Sequence, residues 1–278
     1  MSDVQAQPTT PAIYLYCLSR PDCLAAVGAM AAQGANGVDE RFPVVAIESG
    51  DLVAVTGNVY SEAFTEQNLQ TLEWVGTRAL RHEAVVEQVM AVSTVLPVKF
   101  GTIFRSVESL NDFLVRNHES IAQVLSGLRG KAEWSVKGYL VQETAEQMVC
   151  ATDPAIQAQM ATMSSSPGVR YMQQRQMAAK VEAALGAWLD RVTDALKDAL
   201  LQQAEDATVL RCHASSMTGR TERMVFNCSF LLATQAVANF QATLEEFQLA
   251  YQKSGLVLEL RGPWPPYNFC PSLSEPLA

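Results

Sequence analysis

Residues 256–269 read LVLELRGPWPPYNF, and the fold turns on how that stretch is understood. Leu256, Leu258 and Leu260 fall on one face of an extended chain and Val257, Glu259 and Arg261 on the other, which is the period of a β-strand. Gly262-Pro263-Trp264-Pro265-Pro266-Tyr267 follows, with three prolines in four positions. Each proline lacks a backbone N–H and has a fixed φ, so the run cannot continue a central ladder. The spacing predicts a strand that leaves its sheet at about Gly262 as a stiff, polyproline-like exit carrying aromatic rings.

Before that strand, the second half of the chain alternates in type. A strand over 134–141 precedes a crossover over 144–163 that Asp153-Pro154 interrupts. Ser164-Ser165-Ser166-Pro167 reads as a helix start, opening a helix over 168–204 that would be roughly 50 Å long. Val181, Leu185, Trp188, Leu189, Val192, Leu196 and Leu200 form its apolar stripe. Strands over 208–214 and 224–233 flank a polar loop, and a helix over 236–253 ends at Gly255. Phe226, Cys228, Phe230 and Leu232 share one strand face. This order, β-α-β-β-α-β, predicts a ferredoxin-like domain over 131–270 with one long helix.

The first half, 12–130, reads as a separate α/β domain whose three leading strands fit the ferredoxin-like order less cleanly, so the expected class is α+β with two domains. A strand over 12–18 leads, and strands over 44–47 and 52–56 flank Glu48-Ser49-Gly50-Asp51, a hairpin signal. A helix over 65–93 carries Leu69, Leu72, Gly76, Ala79, Leu80, Val86 and Met90 near one stripe, the expected buried face. Residues 95–104 alternate as an edge strand with Leu96, Val98, Phe100 and Phe104 on one side and Lys99 and Ile103 on the other. A further helix over 108–125 buries Leu110, Leu114, Ile121 and Leu125, and Gly127-Leu128-Arg129-Gly130 marks the boundary between domains. Residues 1–11 and 271–278 read as tails, the first polar and disordered.

Composition restricts the function. The chain has 278 residues, 49% hydrophobic and 18% charged, which supplies a large core. A net charge of −9 argues against a nucleic-acid backbone as partner. No apolar run reaches the roughly 18 residues that span a bilayer, and residues 1–11 lack a signal-peptide core, so a cytoplasmic location is expected. Six cysteines are scattered without a C-x-x-C pair and read as reduced, mostly buried thiols, so no metal is expected.

Catalytic motifs are equally sparse. His82-Glu83 lacks the second histidine of H-E-x-x-H, and Glu83 and Glu87 read as a solvated helix face. Cys212 and His213 point to opposite faces of a strand, and His118 reads as surface. The loop over 215–221 joins two strands, whereas a phosphate loop joins strand to helix. A non-enzyme without cofactors is expected. Trp264, Tyr267 and Phe269 either cover the sheet edge or form a docking ledge for an apolar partner.

The GPWPPYNF run over 262–269 closely resembles the C-terminal signature of the gas vesicle GvpF/GvpL family. Leu96-Pro-Val-Lys-Phe-Gly-Thr-Ile-Phe104, Lys131-Ala-Glu-Trp-Ser-Val-Lys-Gly138, Ile13-Tyr-Leu-Tyr16 and Ser166-Pro-Gly-Val-Arg-Tyr171 agree in order and spacing. The resemblance covers roughly residues 12–270 and implies an N-terminal domain of modified ferredoxin-like type followed by a C-terminal α/β domain of related type. It implies a gas vesicle accessory protein that binds the hydrophobic shell protein GvpA, prevents its aggregation and helps nucleate or build the vesicle, as a possible minor component. Partners would be GvpA and other accessory proteins, not nucleic acid or membrane, with Lys99, Arg105, Trp264, Tyr267 and Phe269 as candidate contacts. The alternative is a small-molecule-binding or enzymatic α/β protein using a cleft between the halves.

Overall fold

The computed structural model describes residues 10–34, 37–214, 217 and 219–271. Most of the two expected tails and part of the 215–222 loop lie outside them, although Pro11 already belongs to a strand. The architecture is mixed α+β. It divides into two compact units, the residues up to Ala132 together with those from Trp264 onward, and the intervening Glu133–Pro263. The terminal stretch expected to close the second domain therefore packs with the first.

In the first unit, β1 (Pro11–Ser19), β2 (Val44–Ser49), β3 (Leu52–Tyr60), β4 (Leu96–Pro97) and β5 (Ile103–Phe104) form one antiparallel sheet. The order is β2-β3-β1-β4, with β5 also on β1. Gly50, at φ +63°, makes the expected β2–β3 turn. β1 is buried on both faces. Tyr14 and Tyr16 join a core with Val53 and Val86, whereas Leu15 faces another with Leu110 and Leu114. A register shift between Leu15 and Cys17 then reverses the alternation, so Cys17 lies with the tyrosines and Leu18 with Leu15.

The helices of this unit are α1 (Leu24–Ala32), α2 (Glu66–Leu69), α3 (Leu72–Met90), α4 (Val107–Arg116) and α5 (His118–Leu128). Three expectations need correction. The helix over 65–93 is two helices, because Thr65 caps α2 through the Asn68 N–H (3.2 Å) and the chain turns at Gln70 and Thr71. The strand over 95–104 is two short pieces around a turn in which Thr102 N–H donates to the Lys99 carbonyl (3.2 Å). Ile103 lies on the opposite side from Leu96, Val98 and Phe104, as expected, and is buried in the tyrosine core, whereas Phe100, expected to share their side, packs against that tyrosine core instead. The helix over 108–125 breaks at Asn117, yet Leu110, Leu114, Ile121 and Leu125 all reach the core as expected.

The second unit holds, but for the first two residues of β6 and the last of β9, β6 (Lys131–Leu140), α6 (Gln142–Thr152), α7 (Pro154–Ala161), α8 (Pro167–Leu201), β7 (Asp206–Val209), β8 (Arg223–Ala233), α9 (Val237–Tyr251) and β9 (Leu256–Trp264). Its strands order β7-β8-β6-β9, with β7 and β8 antiparallel. Asp153 caps α7 through the N–H groups of Ala155 (2.8 Å) and Ile156 (3.0 Å), which explains the break at Pro154. The stripe of α8 serves two cores: Val181, Leu185 and Leu189 pack with Leu140 and Val149, and Leu196 and Leu200 pack with Phe230 and Phe240. The strand expected over 208–214 ends at Val209, so Cys212 and His213 lie on irregular chain.

β9 corrects the opening expectation. It continues through Gly262 and Pro263, joined by a cis peptide bond, to Trp264. A proline is excluded from a central ladder, but β9 is an edge strand and one of its sides needs no N–H donor. Gly262 has φ +139°, and a Cβ there would lie 2.9 Å from the Glu133 carbonyl and 3.0 Å from the Trp134 ring. No other residue fits that position without displacing β6.

Candidate functional site

Helix α3 carries the most unusual surface of the first unit. Its buried residues are His82, Val85, Val86 and Val89, at i, i+3, i+4 and i+7. Of the stripe expected to be buried, Leu72 is 85% exposed and Leu80 75% exposed, while Val86 is in the core. Leu72, Gly76 and Leu80 recur every four residues and so share one solvent-facing side. A Cβ on Gly76 would have nothing within 4 Å, so this side is open. The signal that could have shown the true facing is the 82/85/86/89 spacing, once a histidine is admitted to a core.

His82 is only 3% exposed, and burying an imidazole is costly unless both nitrogens are satisfied. The fold satisfies both. Gly101 N–H donates to Tyr14 Oη (3.1 Å), and Tyr14 Oη donates to His82 Nδ1 (2.9 Å). On the other edge, Tyr267 Oη lies 3.1 Å from His82 Nε2 and donates to Glu83 Oε2 at 2.9 Å. Tyr267 has one hydroxyl proton, and Glu83 receives it. His82 Nε2 must then carry the ring proton and donate, leaving Nδ1 as acceptor. Burial holds the ring neutral by lowering its pKa to about 4. Burial, reinforced by the Glu83 carboxylate, raises the Tyr267 hydroxyl well above the usual phenol range, so it stays a donor.

The terminal signature is thus a latch. Pro265 and Pro266 are buried, and Tyr267 pins the segment to α3 of the same unit. Glu83, read from sequence as a solvated face, is part of the latch. Of the five candidate contact residues, Tyr267 has its hydroxyl engaged internally, Phe269 is half-buried, and the Trp264 ring is 39% exposed. Lys99 and Arg105 are exposed, Lys99 in the turn before β5 and Arg105 just after it. That turn adjoins α2, since a Cβ on Gly101 would lie 3.8 Å from Leu69, itself an exposed leucine. The sequence thus missed His82 and the exposed leucines.

Each unit also holds a concave region. One, in the first unit, measures about 400 Å³ and is lined by Asp39, Glu40, Arg41, Phe64, Arg78 and Arg81 among others. The other, in the second unit, measures about 620 Å³ and lies between α6 and α8, with Glu146, Cys150, Glu182 and Arg223 on its walls. Among the described residues, no group of three or more His, Cys, Asp or Glu is placed to hold a metal ion. No described helix is long and apolar enough to cross a membrane. Cys17, Cys23 and Cys228 are buried free thiols, and Cys212 is an exposed one.

The family described as gas vesicle synthesis protein GvpL/GvpF matches residues 12–271. Gas vesicle protein L of Streptomyces sp. (strain CB03234) is 29% identical over 262 residues, covering 92% of this chain and 91% of that protein. Gas vesicle protein L2 of Halobacterium salinarum is 24% identical over 268 residues, covering 94% of this chain and 91% of that one. The crystal structure of the gas vesicle protein GvpF from Anabaena sp. PCC7120 superposes with a TM-score of 0.69 at 18% identity, over 94% of this chain and 98% of that one, so the fold is shared. A match over nearly the whole length, with the 262–269 signature folded as a latch inside it, makes this chain a member of the GvpL/GvpF family of gas vesicle synthesis proteins, with a role in gas vesicle formation.

Proposed function

We propose that this protein binds the small, very hydrophobic shell protein of the gas vesicle, GvpA, and covers its apolar surface until it is added to the shell. The observation that carries this reading is the inverted helix α3. Leucines at 72 and 80 face water around an open glycine, while the fold buries a histidine in their place. Exposed apolar side chains arrayed along one helix side are a means of receiving another apolar segment. A client whose own apolar patches collapse in water gains solubility when such a surface covers them. Leu69, Lys99 and Arg105 would extend the contact along the neighbouring turn, with Trp264 as a further aromatic contact. The role is non-catalytic, and the protein would act at the growing vesicle together with other gas vesicle proteins.

Co-expression with GvpA tests it. The wild-type chain should raise soluble GvpA and retain it in a pull-down. Gly76→Arg adds bulk and charge to the open side, at a position where a Cβ has no atom within 4 Å, so it should keep the fold and lose the client. Leu72→Asp with Leu80→Asp should do the same. Full GvpA binding by these variants would refute the α3 surface. Loss on Tyr171→Asp instead, at an exposed position on the first turns of α8, would move the site to the second unit.

A further inference from the structure

The cleft of the first unit has chemistry that the proposed shell-protein surface does not use. Three of its lining residues are arginines and two are carboxylates. Arg41 grips Asp39 with two contacts (2.8 and 2.6 Å) while lying over the Tyr60 ring, 4.6 Å from its centroid. Arg81 pairs with Glu40. Arg78 has no such partner. Its guanidinium stacks on Trp74, 4.2 Å from the ring centroid, and donates one N–H to the Trp74 carbonyl (3.1 Å). Among the described residues it forms no ion pair. It is half-buried, and both that burial and the nearby Arg81 charge disfavour its protonated form. A guanidinium held over an indole, with N–H groups unused and two other arginines nearby, is poised for an anion.

The cleft also indicates which anion. Three guanidinium groups against two carboxylates leave one positive charge, which a single negative charge balances. A phosphate dianion would overcompensate and would meet Asp39 and Glu40, whereas a carboxylate matches the fork of Arg78 in charge and in planarity. Val38, Ala63 and Phe64 supply an apolar wall for the carbon body behind it.

We propose that this cleft binds a carboxylate carried on an apolar body, either a free organic acid or the terminus of a polypeptide, with Arg78 as its main contact. The site goes beyond the shell-protein reading and stands or falls separately from it, because the Gly76 and Leu72/Leu80 variants leave the cleft lining intact.

The probes are phenylacetate, its neutral amide, phenyl phosphate, and a short peptide ending in phenylalanine with a free or an amidated terminus. Each is titrated into the full chain and followed by calorimetry and by chemical-shift change. Phenylacetate or the free-terminus peptide should saturate, and their amides should not. Arg78→Met should weaken the interaction at least about tenfold, and Arg78→Lys, which keeps the charge but loses the fork, somewhat less. Arg116→Gln on α4 should change nothing. If Arg78→Met does not fold, Thr77→Asp decides: it sits exposed on the cleft rim, leaves the Trp74 stack alone, and should repel the probe. Tighter binding of the peptide than of phenylacetate assigns the site to a polypeptide terminus, and the reverse assigns it to a free acid. No saturation by either carboxylate, equal binding of the amides, tighter binding of phenyl phosphate, or unchanged binding by Thr77→Asp would overturn the proposal.

Discussion

Helices α3 and α8 are the long helices of their respective units, and they obey their sequences differently. In α8 the residues at 181, 185, 189, 192, 196 and 200 are all buried, the stripe that periodicity predicts. In α3 the leucines that stand out by hydrophobicity face water, and the buried side is His82 with three valines. The difference lies in polar partners. The buried stripe of α8 packs into two apolar cores, so the richest apolar stripe wins. α3 meets Tyr14 and Tyr267, whose hydroxyls make a histidine acceptable in the core and turn the leucines outward.

The sharpest way to break this contrast is truncation of the leucines. Leu200→Ala in α8 should cost about 3 kcal/mol, within the range for emptying a packed core site. Leu80→Ala in α3 should change stability by less than about 0.5 kcal/mol. Urea unfolding, resolved unit by unit through amide hydrogen exchange, measures both. Comparable losses at the two positions would mean that the α3 leucines are not free of the core.

Acid is the next lever, and it should act on the first unit. A histidine whose folded pKa lies near 4 against an ordinary 6.5 stabilises the fold at pH above 6.5 and loses that contribution as pH falls through about 4. The span corresponds to about 3 kcal/mol if the buried ring stays fully desolvated. His82→Leu should lower stability at neutral pH, because two tyrosine hydroxyls lose their partner, while removing most of this pH dependence between 6.5 and 4. An unaltered acid profile in His82→Leu would show that other groups carry it.

A smaller effect is expected at the latch. Tyr267→Phe removes the donor to Glu83 and strands the His82 Nε2 proton, at a cost of about 1–2 kcal/mol. It should raise hydrogen exchange in the terminal segment and in α3 before β6 or α8 is affected. Loss of the Asp153 cap ranks last: Asp153→Ala should cost about 1 kcal/mol, felt only in the second unit.

Much of the fold was legible because local rules sufficed. The β2–β3 hairpin follows from Gly50 and its flanking strands, the break before α7 from Asp153-Pro154, and both buried stripes of α4 and α5 from leucine and isoleucine spacing. The errors share a cause. Residues 95–104 have strand-like alternation, but the turn after Lys99 sends Phe100 to the tyrosine core, away from the side of Leu96, Val98 and Phe104, and only pairing with β1 decides where such a turn falls. Pro263 forbids a central strand yet permits an edge one, and edge position is a property of the sheet. For the candidate surface, the terminal aromatics were visible, but their division into a latching Tyr267 and a partly exposed Trp264 was not.

What the sequence determined by itself was most of the regions that form strands and helices, the apolar stripe of α8 and the family signature. Tertiary structure alone decided which side of α3 is core and where the chain's last described segment packs. The physical reason is range: a period is written within a few neighbouring residues, whereas His82 is satisfied by Tyr14, 68 positions earlier, and Tyr267, 185 positions later. No local pattern can report that such distant hydroxyls will converge on one imidazole.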